Sequence, residues 1–525
     1  MNKSGTIDSI LEARKQTNQR NAFVNVGRLD GANLNRSPSS YLANRQEDID
    51  FYADEGDTDK NFTLLAFKDN DNNDIGSFNW FAQHPNAMNK SSTILDGDSK
   101  GWPSILLEDE GNMKVVAFAA TNLGDVSPGI EGPKCHYYSY GTWYDESIEP
   151  PEGAVGGQEC NFRHSTCPVG INSNNGESQH GCFSFGIGKS ADKINGIENQ
   201  LIDNDMKDSV DILVKRQVAM FNELINQNQI ELGSEVNFRH KFINMAQWSG
   251  LNSENEIIST CKPALGVSFA SGCIDGHGAK MFIQGTNQKF VDDNYGEDWI
   301  WFRIRDAIVN KAMGEGNEPD PAEYDCHQPK PVLLPTGWVD VPYNWHPDTI
   351  ELGLYQIGDF FLLSVPGEFT TMAGRYIREA VRQRIRQYAD YDPVIVITGL
   401  SNTYTHYITT ELEYDEQRYE AGSVIYGRNT LAAYTIEMEK MVDNIFLGEP
   451  VDDAGQPNED LLQEQLECLQ RPGEDTDFEG QPIGTVLEQP EDIEITSSDT
   501  ERLEFQVQAK FVGGNPRNFL DWQVN

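Results

Sequence analysis

Short apolar stretches separated by polar turns dominate the first third of the chain. The segments 61–69, 76–84 and 113–124 each place large apolar residues between runs rich in Asp, Asn and Gly. Apolar runs of this length, bounded by turn-forming residues, are typical of β-strands. This part of the chain is therefore expected to be rich in sheet.

Apolar residues recur at helical spacing further along, in the segments 210–227, 298–313 and 372–389. A spacing of three and four residues predicts amphipathic helices. Two apolar runs predicted as strands, 354–367 and 393–400, flank the last of these helices, which predicts a strand–helix–strand unit. The predicted fold class is α+β, a mixed, sheet-rich domain that also contains helices.

Composition divides the chain into four parts. Residues 1–22 are polar and expected to be poorly ordered, whereas 23–446 carry the apolar patterns of a folded domain. Residues 447–490 are rich in Pro, Gly and acidic residues, which favours a linker or an exposed loop. The final part, 491–525, contains an alternating segment at 503–516 that is typical of a β-sandwich strand, and it predicts a partial sandwich domain.

The charge of the chain excludes some classes of partner. Its 525 residues include 83 Asp and Glu against 40 Lys and Arg, a formal net charge of −43. Such a charge repels phosphate backbones, so the sequence argues against nucleic-acid binding. Its longest apolar runs, such as FFLLSV at 360–365, fall far short of the roughly 18 residues that a membrane-spanning helix needs.

Cysteines cluster in a segment with little apolar content of its own. Four of them lie within a stretch rich in Gly, Asn and Ser: Cys135, Cys160, Cys167 and Cys182. A loop held by disulfides is the favoured interpretation, with a zinc knuckle as the alternative, although no C-x-x-C pair is present. Disulfides form in oxidising compartments, yet residues 1–21 have no secretory signal, so we expect a longer protein that is secreted, or lumenal and extracellular.

The stretch NLGDVSPGIEGPKC, residues 122–135, delivers Ser127 into a turn directly after an apolar run. A serine in this place suggests a hydrolase nucleophile, but the G-x-S-x-G elbow is absent. Pro128 also removes the backbone N–H that would follow the nucleophile and help to form an oxyanion hole. From these residues alone, a structural turn serine is the favoured interpretation and a catalytic serine is the alternative.

Two further polar side chains follow predicted strands. His84 ends the strand-like segment 76–84, and Glu368 follows the apolar run FFLLSVPG and precedes a helix. Each has an ordinary structural interpretation, as a loop histidine or as a carboxylate at a helix N-terminus, and each has an alternative as a metal ligand. The segment 401–420 adds four tyrosines, a histidine and an arginine, a density that suits either a substrate groove or a packed loop.

The motifs taken together resemble one family, the neutral ceramidases, which hydrolyse the amide bond of ceramide. Residues 122–135 match the family pattern N-x-G-D-V-S-P-N-x-x-G-P-x-C except at Gly129, where asparagine is usual. Other matching segments follow in the family's order: ANLNRSPSSYLAN, FNWFAQHPNAMN, CKPALGVSFASGCIDG, CHQPKPVLLPTG, VPGEFTTMAGR, SNTYTHYITT, EYDEQRYE and FVGGNPRN. The resemblance implies that 23–446 is a catalytic domain and that 491–525 begins an immunoglobulin-like β-sandwich.

The resemblance implies a zinc site held by His84, Glu368 and Tyr407, with Tyr404 as the alternative tyrosine. The family's other zinc histidine lies on an H-T-H-S-G-P-G-G segment that has no match in residues 1–31. We therefore expect an incomplete chain whose own activity is uncertain. The alternative hypothesis is a non-catalytic lipid-binding relative that has lost the metal site.

The resemblance also assigns roles to Ser127, Arg36 and Tyr419. Zinc would activate a water molecule for attack on the amide, and Arg36 or Tyr419 would stabilise the oxyanion. Ser127 would then bind a hydroxyl of the substrate rather than act as the nucleophile. Ceramide and related sphingolipids are the implied substrates, with peripheral contact to a membrane.

The resemblance finally implies a disulfide pattern. It pairs Cys135 with Cys167, Cys160 with Cys182, and Cys261 with Cys326. It leaves two cysteines over, Cys273 as a buried thiol and Cys468.

Overall fold

A computed structural model describes most of the chain. It covers residues 21–88, 96–135, 201–313 and 321–451, except 112, 228, 280, 297, 341 and 342, with shorter pieces at 159–161, 165–168, 177–178, 182–187, 455–459, 486–488 and 510–511 and a few single positions. The chain divides into two compact units. One is Asn18–Asn458, and the other joins Met1–Thr17 to Glu459–Asn525.

The first sheet has five strands. Their order across the sheet is Ile230–Glu231, Asn21–Arg28, Asn61–Lys68, Asp74–Phe81 and Val115–Ala120. The last pair is parallel and the others are antiparallel. Three of these strands confirm the predictions at 61–69, 76–84 and 113–124. One face packs against the helices Asp98–Asp109 and Leu201–Ile225, through buried residues that include Phe62, Leu64, Leu107 and Phe221.

The second sheet contains Val236–Asn244, Thr349–Ile357, Phe360–Ser364 and Val394–Thr398, in that order. Phe360–Ser364 and Val394–Thr398 are parallel and are joined through the helix Thr371–Ile385, which confirms the predicted strand–helix–strand unit. The prediction of a single strand over 354–367 is wrong. Gly358, with φ of 53°, turns the chain into a hairpin between Thr349–Ile357 and Phe360–Ser364.

The two sheets pack against each other. Val24, Leu65 and Trp80 of the first sheet share a buried cluster with Phe360 and Val396 of the second. The outer face of the second sheet is covered by the helices Thr371–Ile385 and Thr430–Phe446, which form the largest buried cluster with it. The result is a layered domain, helix–sheet–sheet–helix, and its mixture of helices and sheets confirms the predicted α+β class.

Smaller elements complete the described residues. The remaining helices are Pro38–Tyr41, Gln46–Phe51, Val267–Ser271, Gln288–Asn294, Ile300–Met313, Pro321–Tyr324, Asp325–His327, Thr336–Trp338, Glu411–Asp415 and Tyr419–Gly422. The remaining strand pairs are Leu34–Asn35 with Val126–Ser127, Gly132–Cys135 with Cys182–Phe185, Cys167–Pro168 with Glu177–Ser178, Ser249–Leu251 with Ile257–Ser259, Leu265–Gly266 with Val332–Leu334, Gly272–Cys273 with Gly276–His277, and Glu368–Phe369 with Tyr407–Ile408.

The immunoglobulin-like part of the fold prediction is not established. Among the described residues of the C-terminal region, the structure shows one antiparallel pair, Val486–Glu488 with Lys510–Phe511. A single pair of short strands does not define a sandwich. No helix among the residues described is both long and apolar enough to cross a membrane.

Candidate active site

The candidate residues lie on loops and short strands at the ends of the longer strands. His84 lies just beyond the strand Asp74–Phe81. Glu368 lies between the strand Phe360–Ser364 and the helix Thr371–Ile385, whose first turn is capped by the Thr370 side chain. Glu368–Phe369 pairs in parallel with Tyr407–Ile408, so Glu368 and Tyr407 are register partners.

His84 and Glu368 are in direct contact. Nδ1 of His84 lies 2.8 Å from the carbonyl oxygen of Val126, and Nε2 lies 2.7 Å from Oε2 of Glu368. A carbonyl oxygen can only accept a hydrogen bond, so Nδ1 carries a proton. Nε2 of His84 and the carboxylate of Glu368 therefore face each other directly. This arrangement suits either an imidazolium–carboxylate pair or a cation bound by both groups.

The second carboxylate oxygen of Glu368 also has a partner. The hydroxyl of Tyr404 donates to Oε1 at 2.8 Å. Burial by itself raises the pKa of Glu368, but His84, Arg36 and Tyr404 together bring it below its ordinary value, so the group is ionised at neutral pH. Of the two candidate tyrosines, Tyr404 is thus the one whose hydroxyl contacts Glu368.

Arg36 is the centre of a buried polar cluster. It donates to Oε1 of Glu420 at 2.8 Å, to Oδ2 of Asp275 at 3.1 Å, to the carbonyl of Gly124 at 2.8 Å and to the hydroxyl of Tyr407 at 3.0 Å. Its side chain is only 3% exposed. Two carboxylates bind one guanidinium, so the planar fork of Arg36 is fixed in one orientation.

Aromatic rings surround the guanidinium. Its central carbon lies 5.6 Å from the ring centre of Tyr407 and 5.5 Å from that of Tyr419. The ring of Phe269 stacks on Tyr419 at 6.4 Å. Burial raises the pKa of Tyr419 to about 12, and burial also raises the pKa of Tyr407 well above its ordinary value. Both phenols therefore keep their protons at neutral pH and can donate hydrogen bonds.

Ser127 has its hydroxyl fully engaged inside the protein. Oγ donates to Oδ1 of Asp275 at 2.6 Å, accepts from the N–H of Gly129 at 2.9 Å and lies 3.0 Å from Oγ of Ser184. The side chain is completely buried. Since Asp275 also binds Arg36, Ser127 positions the polar cluster.

The same geometry explains the glycine at position 129. A Cβ atom on Gly129 would lie 1.7 Å from Oγ of Ser184 and 3.1 Å from Oγ of Ser127. Any larger residue would displace the serine pair. The close approach of Ser184 therefore accounts for glycine at position 129, where the family usually has asparagine.

Asp125 ties three segments of the site together. Its Oδ1 accepts from the N–H and the hydroxyl of Thr371, both at 2.8 Å, and its Oδ2 accepts from Asn35 at 2.8 Å. The N–H of Arg36 donates to its carbonyl oxygen at 2.8 Å. Burial, and after it the charge of Glu420, raises the pKa of Asp125. Sequence reasoning did not select Asp125, Asp275 or Glu420, although Asp125 lies within the D-V-S-P motif.

The disulfide pattern is confirmed. Bonds join Cys135 to Cys167, Cys160 to Cys182 and Cys261 to Cys326. Among the residues with described positions, the one group of His, Cys, Asp or Glu close enough to share a metal is Cys135, Cys160 and Cys167, and its sulfurs form disulfides. The zinc-knuckle alternative is therefore wrong.

Cys273 is the buried free thiol, and burial raises its pKa to about 12. Cys468 lies outside the described residues, as do His136, His164 and His180.

The strand Cys182–Phe185 connects the disulfides to the polar cluster. The N–H of Ser184 donates to the carbonyl of Ile274 at 3.0 Å, and Nε2 of His277 donates to the carbonyl of Cys182 at 2.6 Å. These two hydrogen bonds join the strand Cys182–Phe185 to the chain on either side of Asp275. The disulfide-bonded segment thus holds the carboxylate that Arg36 and Ser127 share.

Comparison with known proteins agrees with the motifs. A family model described as neutral/alkaline non-lysosomal ceramidase, N-terminal, matches residues 2–436. A neutral ceramidase of Drosophila pseudoobscura pseudoobscura is 35% identical over 523 residues, which cover 95% of this chain and 64% of that protein. Neutral ceramidase B of Dictyostelium discoideum is 33% identical over 526 residues and covers 98% of this chain. This chain spans 64% of the length of both relatives.

Solved structures confirm the fold. A crystal structure of neutral ceramidase from Pseudomonas aeruginosa matches with a TM-score of 0.65 at 23% identity, covering 98% of this chain and 65% of that one. A structure of a ceramidase complexed with C2 gives a TM-score of 0.67 at 24% identity, covering 98% of this chain and 66% of that one. On the match over residues 2–436, the chain belongs to the neutral/alkaline non-lysosomal ceramidase family.

Proposed function

We propose that the chain provides the catalytic site for hydrolysis of the N-acyl amide bond of ceramide, which releases sphingosine and a fatty acid. Membership of the family supports the reaction. The observation that carries the proposal is the contact of His84 with Glu368 beside a guanidinium and two protonated phenols. Ceramide and related sphingolipids are the proposed substrates, and peripheral membrane contact and a secreted or lumenal location belong to the same proposal.

Zinc suits the donors that converge at this site. Nε2 of His84 faces the Glu368 carboxylate while the proton stays on Nδ1, the arrangement that a zinc-bound histidine needs. His84 and Glu368 would hold the ion together with a phenol oxygen of Tyr404 or Tyr407. When bound, zinc supplies a Lewis acid and lowers the pKa of its water towards neutrality.

The residues of the chain then have separate tasks. Arg36 and the hydroxyls of Tyr407 and Tyr419 offer hydrogen bonds to negative charge that develops on the amide carbonyl oxygen. Glu420 and Asp275 hold Arg36 in place before substrate arrives, so little reorganisation is needed. A fixed hydrogen-bond donor is more effective than a mobile one because no free energy is needed to orient it during the reaction.

Ser127 fits this scheme as a positioning residue. Its hydroxyl proton is donated to Asp275, and no imidazole lies among its hydrogen-bond partners in the described residues. A serine nucleophile needs an adjacent base that takes its proton. Hydrolysis by water is therefore favoured over an acyl-serine intermediate.

The experiment combines metal analysis with turnover in the full chain. Wild-type protein is supplied with zinc, and bound metal and fatty acid release from ceramide are measured. We expect His84→Ala to lose both zinc and turnover. His240→Ala is the matched control, since His240 also pairs with a glutamate, Glu351, but on the sheet away from these residues.

The outcomes separate the hypotheses. Full activity after verified zinc removal would contradict the metal mechanism. A chain that binds ceramide without binding zinc or hydrolysing the substrate would support the alternative of a non-catalytic lipid-binding relative that has lost the metal site. Comparing Tyr404→Phe with Tyr407→Phe shows which phenol is needed for zinc, because only the ligand's loss should weaken metal binding.

A further inference from the structure

A cleft lies between the two sheets, apart from the candidate active site. It encloses about 240 Å³. Residues of the strands Asn61–Lys68 and Asp74–Phe81 line it from the first sheet, and residues of Val394–Thr398, an edge strand, line it from the second. The helix Thr371–Ile385 contributes two arginines. None of the residues proposed to bind zinc or substrate lines this cleft.

The cleft is open at its rim and contains a buried hydroxyl. Thr63 lines it and is 6% exposed, yet its hydroxyl makes no hydrogen bond to any residue that the structure describes. Buried hydroxyls are normally hydrogen-bonded, so this group is available to a ligand. Val26, Asn61 and Asp392 also line the cleft, and all three are exposed. A small molecule can therefore enter from solvent.

The charges that line the cleft balance. Two arginines and two aspartates line it, and they form two pairs. Nη2 of Arg378 donates to Oδ2 of Asp59 at 2.6 Å, and Nε of Arg382 lies 3.3 Å from Oδ1 of Asp392. The pairs still offer hydrogen bonds to a ligand, because a guanidinium has five N–H groups and each carboxylate has about four acceptor positions.

The balance extends to the next charged groups. Glu379 binds Arg382 at 2.7 Å, and Arg386 binds Asp392 at 2.8 Å, which adds one charge of each sign. An ionic ligand therefore gains little from the net charge of this region. A neutral ligand with several hydroxyls fits better, because each hydroxyl both donates and accepts and so matches the mixture of guanidinium and carboxylate groups.

We propose that this cleft binds one sugar residue. Arg382 donates to hydroxyls of the sugar, Asp392 accepts from them, and Thr63 can do either. Val26 and Val394 line the same cleft and suit the C–H face of a pyranose ring. The cleft is smaller than the roughly 300–1,000 Å³ of sites for drug-sized ligands, which favours a single ring over an oligosaccharide.

The rim also offers a point of covalent attachment. Asn61 begins the sequon N-F-T, is exposed, and its side-chain amide makes no hydrogen bond to a described residue. The sequon at Asn35 differs, because Asn35 is 4% exposed and donates to Asp125 at 2.8 Å. The sugar is therefore either the first residue of a glycan on Asn61 or a free saccharide.

The attached form needs a glycosyl donor of the lipid-pyrophosphate class. A bond forms between Nδ2 of Asn61 and the anomeric carbon, the anomeric C–O bond to the pyrophosphate breaks, and the amide proton leaves with the pyrophosphate. This source depends on the secreted or lumenal location proposed above, whereas binding of a free sugar in the cleft does not. N-acetylglucosamine, the first residue of such a glycan, is the probe for both sources.

The first experiment uses the full chain made without glycosylation and with its disulfides formed. Ligand-observed NMR gives the dissociation constant of N-acetylglucosamine, and circular dichroism checks the fold of each variant. Binding should weaken about tenfold or more in Arg382→Met and about fivefold in Thr63→Val. Arg384→Met is the matched control and should bind like the wild type, since Arg384 lies on the same helix and pairs with Asp443 but does not line the cleft.

Three results would overturn the assignment. They are the absence of saturable binding to the unglycosylated wild type, equal dissociation constants in the wild type, Arg382→Met and Thr63→Val, and displacement of the sugar by equimolar inorganic phosphate. The last result would mean that the cleft prefers an anion. None of these measurements requires ceramide hydrolysis, so their failure would leave the proposed function untouched.

The second experiment identifies the source of the sugar. The chain is secreted from a eukaryotic host, and enzymatic removal of N-glycans in H₂¹⁸O labels each modified asparagine for mass spectrometry. Label at Asn61 and not at Asn35, with free N-acetylglucosamine binding only to the Asn61→Gln variant, would assign the cleft to the attached glycan. An unmodified Asn61 in a chain that binds the free sugar would assign a free saccharide. A glycan on Asn61 that leaves binding of the free sugar unchanged would contradict the attached source.

Discussion

Replacing Arg36 with methionine is expected to lower the free energy of unfolding by about 3–5 kcal/mol. The substitution keeps most of the apolar stem but leaves the carboxylates of Glu420 and Asp275 without their cation. The side chains of Glu420 and Asp275 are only 2% and 6% exposed, so water cannot replace the lost partner. Breaking a buried pair by removing one partner is costly for this reason.

The hydrogen bonds of the cluster set the size of the effect. Arg36 makes charge-assisted bonds of 2.8 and 3.1 Å to the two carboxylates, each worth about 1.5–3 kcal/mol. The loss is limited because Glu420 keeps the hydroxyl of Ser37 at 2.6 Å and Asp275 keeps that of Ser127 at 2.6 Å. Because these two donors remain, the expected loss of unfolding free energy is smaller than the full cost of leaving two buried charges without partners.

The assay is urea unfolding followed by circular dichroism and tryptophan fluorescence. Arg45→Met is the matched control, since Arg45 also binds a carboxylate, that of Asp48, but is 60% exposed and should lose at most about 1 kcal/mol. The double variant Arg36→Met/Glu420→Gln should recover part of the loss, because it removes one uncompensated charge. Equal losses of unfolding free energy in Arg36→Met and Arg45→Met would refute the view that the cluster is buried and preorganised.

Three further predictions concern other parts of the chain. Ser127→Ala should retain measurable ceramide hydrolysis, because the hydroxyl positions Asp275; an acyl group trapped on Ser127 and seen by mass spectrometry would contradict this. Burial lowers the pKa of Lys330 well below 10.5, so the unfolded chain binds the extra proton and stability rises with pH up to about 10.4. In Lys330→Met, the slope of unfolding free energy against pH between pH 8 and 10 should be lower than in the wild type by up to about 1.4 kcal/mol per pH unit. Equal slopes in the variant and the wild type would argue against this prediction. Cys261→Ala/Cys326→Ala opens a loop with a sequence separation of 65 and should lower stability by about 4 kcal/mol, whereas an unchanged urea midpoint would count against the estimate.

Apolar periodicity was sufficient to predict several strands and helices of this fold. The strands at 61–69 and 113–124 and the helix at 372–389 are present because their patterns match the burial that sheet and helix packing require. Apolar periodicity did not reveal the hairpin at Gly358, because apolar residues continue on both sides of the turn. The break is marked instead by the two turn residues, Gly358 and Asp359, a pair typical of a β-hairpin.

The sequence indicated some of the candidate residues, but it did not indicate their contacts. Motif resemblance selected His84 and Glu368, which prove to touch across a separation of 284 residues. Arg36 and Glu420 are 384 residues apart, and their pairing depends on how the loops pack. Tyr404 and Tyr407 lie on either side of His406, whose left-handed backbone is a feature that neither periodicity nor motif specifies.

The strand Cys182–Phe185 links the disulfide bonds to the polar cluster of the candidate site. Cys182 is bonded to Cys160, and the strand pairs with Gly132–Cys135, whose cysteine is itself bonded to Cys167. This strand also binds the loop that carries Asp275, so we expect reduction of these disulfides to loosen the polar cluster. Protein made in a reducing host should therefore be oxidised before its activity is judged.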